Sequence, residues 1–126
     1  MAENAHLAAL YEERQRRLNT YDFALFVEDD TEKPLGYMAC LEIDADSIWI
    51  LHGGAFSSAK QTLRAATGFH LMVNYLRENY FRARLDTKNS NIAMIKLAYS
   101  AGFKIVGVEQ QGLDLYLNMT NVFRDE

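Results

Sequence analysis

The sequence predicts one mixed α/β domain, a mostly antiparallel sheet with a single parallel junction, flanked by helices. Three observations predict it. Three β-rich runs follow one another between residues 21 and 52 with short polar turns between them. A capped helical stripe then separates the third run from a fourth, the pattern of a parallel crossover. Two further β-rich runs close the chain around Gln110, Gln111 and Gly112 as a hairpin.

The 126 residues fit a single domain, 1–126. Hydrophobic residues at 49% and aromatics at 12% are enough to form a core, which excludes a disordered chain. No apolar run approaches the roughly 18 residues of a membrane span. A net charge of −4 argues against a nucleic-acid partner, which normally needs a basic face. Cys40 is the only cysteine, so neither an intrachain disulfide nor a cysteine metal cluster can form. His6, His52 and His70 fall on different elements without ligand spacing, and no metal is expected. The N-terminal residues carry charges where a signal peptide needs an apolar stretch, so the expected location is cytoplasmic.

Taken in order, residues 3–18 place Leu7, Leu10, Tyr11 and Leu18 at helical spacing and predict a short amphipathic helix. Residues 21–28 (YDFALFVE) predict the first strand, and the turn after it is closed by Pro34. Residues 35–43 predict the second strand. Residues 48–52 (IWILH) predict the third, apolar on both faces as a central strand should be, with Gly53 and Gly54 ending it. Ser58 and Gln61 form a capping-box pattern, so a long helix is expected from about Ala59. Leu63, Ala66, Phe69, Val73, Leu76 and Tyr80 make its apolar stripe, and Gly68 within it suggests close packing on the sheet. Residues 82–87 predict the fourth strand. Asn91 is placed to cap a helix over 92–101, with Gly102 as its terminator. Strands over 103–109 and 113–119 complete the order α-β-β-β-α-β-α-β-β, and the remaining tail is expected to be loose. A binding crevice is expected at the carboxyl ends of the parallel strands, where the Gly53–Ser58 segment lies.

The stretch LDTKNSNIAMIKLAYSAGFKIVGV, residues 85–108, carries a resemblance. A strand, an asparagine (Asn91), a helix ending in Gly102-Phe103 and another strand follow at the spacing of the acetyl-coenzyme-A-dependent N-acetyltransferases, the GNAT superfamily. Over roughly residues 20–120 the chain resembles a short, divergent member of that family. The resemblance implies a GNAT-like fold, acetyl-CoA as cosubstrate, and a small-molecule or protein amine as acceptor. The departures are specific. The N-terminal lobe is trimmed. The family's pyrophosphate loop, Gln/Arg-x-x-Gly-x-Gly/Ala, falls on Ala59 to Arg64, which contains no glycine. The family tyrosine position on the last helix is Ala98, and Tyr99 is its neighbour, turned about 100° around the helix.

Under this resemblance a splayed strand at Leu51 and His52 would offer backbone groups to the pantetheine arm. Gly53 and Gly54 would allow a sharp turn, and Ser57, Ser58, Lys60 and Arg64 would meet the pyrophosphate at a helix N-terminus. The same segment also fits a plain strand–loop–helix joint. Asn91 would bind the pantetheine arm, cap its helix, or both. For proton transfer His52 is the first candidate base, because histidine ordinarily titrates near neutral pH. Asp86 and Glu42 are alternatives, each also readable as a surface carboxylate, and Tyr99 is the candidate acid. A second class of function stays open: a catalytically inactive assembly or interaction protein on the same fold. Short versions of the fold also resemble small bacteriophage proteins, some associated with virions. The aromatic first strand, placed near a sheet edge, is a candidate for pairing with a second copy as a homodimer.

Overall fold

Alternation along the β-rich runs decides which side of the sheet is buried. The computed structural model describes residues 7–14, 21–29, 33–55 and 63–124. They form β1 (Leu7–Arg14), β2 (Phe23–Asp29), β3 (Pro34–Asp44), β4 (Ser47–Ala55), α1 (Leu63–Asn79), β5 (Arg82–Lys88), α2 (Ile92–Ser100), β6 (Lys104–Gln111) and β7 (Asp114–Val122). The seven strands make one sheet in the order β1-β2-β3-β4-β5-β7-β6. Every neighbouring pair is antiparallel except β4 and β5. The predicted fold class therefore holds: a mixed α/β domain, mostly antiparallel, with one central parallel pair.

One face of the sheet is the core. Phe23, Leu25 and Val27 of β2 point to it, with Met38 and Cys40 of β3, Ile48 and Ile50 of β4, Ala83 and Leu85 of β5, and Met119 of β7. From α1, Phe69, Met72, Val73 and Leu76 pack on them, and from α2, Ala98 followed by Ala101 and Phe103. Both helices lie on this face and touch, since His70 Nε2 and Ser100 Oγ are 2.9 Å apart. Gly68 is what lets α1 sit close: a Cβ there would stand 3.0 Å from Val27 Cγ1.

The first predicted element is corrected. Leu7–Arg14 is a strand, not part of an amphipathic helix, and pairs antiparallel with β2 from Leu7↔Asp29 to Arg14↔Phe23. Its few apolar residues fit either period, and the unpaired N–H and C=O groups along β2 decide between them by offering a ladder that a helix cannot satisfy. This pairing also removes the argument for dimerisation through YDFALFVE. The strand in that run, β2, lies between β1 and β3, and the edges of the sheet are β1 and β6.

Two smaller expectations also change. Gly53 and Gly54 do not end the third predicted strand, because β4 continues opposite β3 through Gly53↔Met38, Gly54↔Tyr37 and Ala55↔Gly36. The tail is not loose at its start, because β7 runs to Val122 in the interior of the sheet, opposite β5. Asn121, 5% exposed, donates from Nδ2 to the carbonyl oxygen of Ala101 at 2.9 Å. That bond satisfies the chain just past α2 and ties it to the sheet. Asn121→Ala is expected to lower stability by about 1–3 kcal/mol, as loss of a buried hydrogen-bond partner does. A urea melt of the two proteins checks this, and an unchanged midpoint would refute it.

Candidate active site

The site is set by where the parallel pair stops. β4 and β5 are in register from Ser47↔Arg82 to Ile50↔Leu85. Beyond that point β4 follows β3 to Ala55, while β5 follows β7 to Lys88. Leu51 to Gly54 and Asp86 to Lys88 therefore share no ladder, and their inner backbone groups border a gap between diverging strands. A cavity of about 620 Å³ opens there. Leu35, Met38, Phe69, Met72, Met94 and Leu97 give it apolar walls, and Leu51, His52, Gly53, Gly54, Asp86, Thr87 and Asn91 lie around it.

The register of β3 and β4 slips by one residue inside this region. Cys40 stands opposite Ile50, but Ala39 stands opposite His52, so Leu51 is an extra residue on β4. Such a bulge reverses the alternation beyond it. Without it, His52 would share the helix-covered face with Ile50. With it, His52 shares the opposite face with Ala39 and is exposed. There its Nδ1 lies 3.1 Å from Tyr37 Oη, and the two rings meet at 67° with centroids 5.6 Å apart. The bulge also presses Gly53 onto β3: a Cβ at this position would stand 2.7 Å from the Tyr37 carbonyl oxygen.

Asp86 is the first residue of β5 beyond the paired segment. Arg84 donates to it from Nε and Nη2 at 3.3 and 3.2 Å, and Asn118 Nδ2 donates to Oδ1 at 2.7 Å. The Arg84 guanidinium in turn lies 4.3 Å from the centre of the Trp49 ring. The carboxylate is thus fixed by three donated hydrogen bonds, in contrast to the loosely solvated group a surface reading would give. Asn91 caps α2, its Oδ1 accepting from the N–H of Met94 at 3.2 Å.

The structure thus brings Leu51, His52, Gly53, Gly54, Asp86 and Asn91 around one cavity. It does not bring Tyr99 there: that side chain is half exposed on α2, while its neighbour Ala98 is the buried one. Glu42 lies away from the cavity and accepts a hydrogen bond from Tyr80 Oη at 2.5 Å. Ser57, Ser58 and Lys60 lie outside the described residues, as does the side chain of Arg64. Tyr37 was not singled out from sequence. Its one signal was position, opposite Gly54 across the β3–β4 ladder, and that depends on a register no local pattern specifies. Among the described residues no group of three histidine, cysteine, aspartate or glutamate side chains could hold a metal ion, and no helix is long and apolar enough to cross a membrane.

Solved structures of N-acetyltransferases share this fold at low sequence identity. The chain is similar to spermidine/spermine N-acetyltransferase SpeG from Vibrio cholerae, with a TM-score of 0.71 at 16% identity over 84% of this chain and 68% of that one. It is similar to the ribosomal-protein-S18-alanine N-acetyltransferase from Escherichia coli, with a TM-score of 0.71 at 11% identity over 82% and 70% of the two chains. Nourseothricin acetyltransferase aligns with a TM-score of 0.63 at 13% identity over 81% and 65%. By sequence, the chain matches no family model and no curated protein.

Gly53→Ala is expected to destabilise the protein by about 1–3 kcal/mol, the usual cost of forcing atoms into a filled space. It should also part Tyr37 from His52. Thermal unfolding reads the first effect and the His52 ring signals in NMR read the second. A variant with unaltered melting and unaltered ring signals would contradict the close approach described.

Proposed function

We propose that the protein transfers an acetyl group from acetyl-CoA to an amine. The observation that carries this reading is the divergence of β4 and β5 after Ile50↔Leu85, over a cavity that His52 and Asn91 both border, in a fold shared with N-acetyltransferases. Fold alone does not carry function, so the residues must supply the chemistry.

They fit the cosubstrate. A pantetheine arm carries amide groups along a slender chain, and the backbone groups of Leu51 to Gly54 on the side away from β3, which share no ladder with β5, would offer matching donors and acceptors. Asn91, which also borders the cavity, would add an amide donor. Met38, Met72, Met94 and Leu97 exclude water from the arm. By their place in the sequence, Ser57, Ser58, Lys60 and Arg64 would meet the pyrophosphate, with basic side chains replacing the close backbone approach that glycines give. When bound, acetyl-CoA supplies a thioester carbonyl open to attack by an amine nitrogen. His52 takes the amine proton. With Nδ1–H donating to Tyr37 Oη, the lone pair on Nε2 is the base, and Tyr37 holds the ring in that tautomer. Asp86, fixed by Arg84 and Asn118, acts through water on the same proton or stabilises the imidazolium. Tyr99 stands off the cavity, so the thiolate, a good leaving group, takes its proton from solvent.

A non-catalytic assembly role on the same fold, in a virion or elsewhere, is the competing reading. The missing glycines at Ala59 to Arg64 and the position of Tyr99 favour it. Two measurements separate the readings. Calorimetry with acetyl-CoA should show saturable heat, and an absence of heat and of thermal shift would end the enzyme reading. In the folded His52→Ala variant kcat should fall by about 10²–10⁴-fold, the usual contribution of a positioned base. An unchanged kcat would remove His52 from the chemistry.

A further inference from the structure

Three polar side chains are buried among the described residues: Ser47, Thr87 and Asn121, at 6%, 6% and 5% exposed. Two of them have partners. Ser47 Oγ accepts from Arg82 Nη1 at 2.8 Å, and Asn121 donates to the Ala101 carbonyl oxygen. The hydroxyl of Thr87 has no hydrogen-bond partner among the described residues. A buried hydroxyl left alone is uncommon in a folded protein and calls for an explanation. The space it borders is the cavity between the diverging strands.

Thr87 stands two residues past Leu85, where the parallel ladder with β4 ends. Burial alternates along β5, so Thr87 shares the helix-covered side with Leu85 and Ala83. Toward β7 its backbone is in register with Leu117. Phe69, Met72, Met94 and Leu97 line the same cavity. Among such neighbours a valine would fill the place with the same branched shape and no polar atom to desolvate. We infer that the Thr87 hydroxyl is a binding group for the cosubstrate, meeting an amide of the pantetheine arm where the arm passes the end of the β4–β5 ladder. The inference rests on the acyl-transfer reading above and adds a residue to its site. A secondary amide presents an N–H and a carbonyl oxygen, and a hydroxyl can serve either one. Threonine is stiff about χ1, so the hydroxyl is held in place before the ligand arrives. A group that serves a ligand contributes nothing to the stability of the empty protein, and this separates the inference from a structural role.

The test compares the whole chain with Thr87→Val and Thr87→Ser. Without ligand, Thr87→Val should melt no lower than the unmodified protein, because it removes a polar atom that no described residue meets. Its Kd for acetyl-CoA, read by calorimetry, should rise about three- to tenfold, the scale of one neutral hydrogen bond. Thr87→Ser keeps the hydroxyl and should bind within about twofold of the unmodified protein. ADP, which has the pyrophosphate without the arm, should bind the unmodified protein and Thr87→Val alike. A valine variant that melts lower or does not fold would mean that the hydroxyl is held within the protein, and would overturn the inference. So would an unchanged Kd for acetyl-CoA, or a serine variant as weak as the valine one. A loss shared by ADP would move the hydroxyl to the phosphates and overturn its assignment to the arm. Each of these failures leaves acetyl-CoA binding by the unmodified protein intact. No heat from acetyl-CoA with the unmodified protein would instead sink the acyl-transfer reading and, with it, the assignment of Thr87.

Discussion

One extra residue on β4 governs the site. Leu51 has no partner of its own across the ladder, and the strand absorbs it by reversing which way the following side chains point. Three consequences meet within two residues. His52 leaves the helix-covered face, Gly53 is pushed against the Tyr37 carbonyl, and β4 bends away from β5 along the line it keeps with β3. A regular strand would have buried the imidazole under α1 and continued the parallel ladder. The bulge thus creates the gap and supplies the polar group at its edge in a single step.

The two faces of the sheet divide the work. The helix side takes nearly all of the large buried side chains and holds the protein together. The other side carries polar and aromatic groups in arrangements that contribute little core: the Trp49, Arg84, Asp86 and Asn118 cluster to one side of the gap, and the rings of Tyr37 and His52 to the other. In a sheet of this kind one face can remain wet, which is where an antiparallel architecture accommodates chemistry without weakening its core. Asp86 and His52 lie on different sides of the same opening, each held by a neighbour on its own part of the sheet.

What was legible in the sequence followed from local signals with a single physical meaning. Asn91 announced its helix because a side-chain oxygen at that position has an orphan N–H to meet, and Gly102 ended it with φ at +105°, a conformation that suits glycine. The β-rich composition of residues 21–28 and 35–43, the turns that bound them and the apolar run at 48–52 predicted these three strands. The places that misled were those where a partner outside the local window decides. Leu7–Arg14 reads as a helix until β2 is there to pair with it. Gly53-Gly54 reads as a break, whereas the glycines let the strand continue past a crowded carbonyl. Tyr37 carries no signal of its own and becomes a site residue only through its place opposite Gly54. His52 was singled out as the last residue of the expected third strand beside the parallel junction, and Asn91 through its place in the stretch that resembles the N-acetyltransferases.

The position of β7 bears on how the chain is assembled. It fills the slot between β5 and β6, so until Asp114–Val122 has emerged from the ribosome the sheet exists as two pieces, with β6 unable to reach β5. During synthesis β5 presents a bare, hydrogen-bond-hungry flank, and the nascent chain must guard it until the final wedge arrives. Closure is thus deferred to the last described strand, and a polypeptide released early would keep its β1–β5 ladders while offering that flank to any strand that diffuses by.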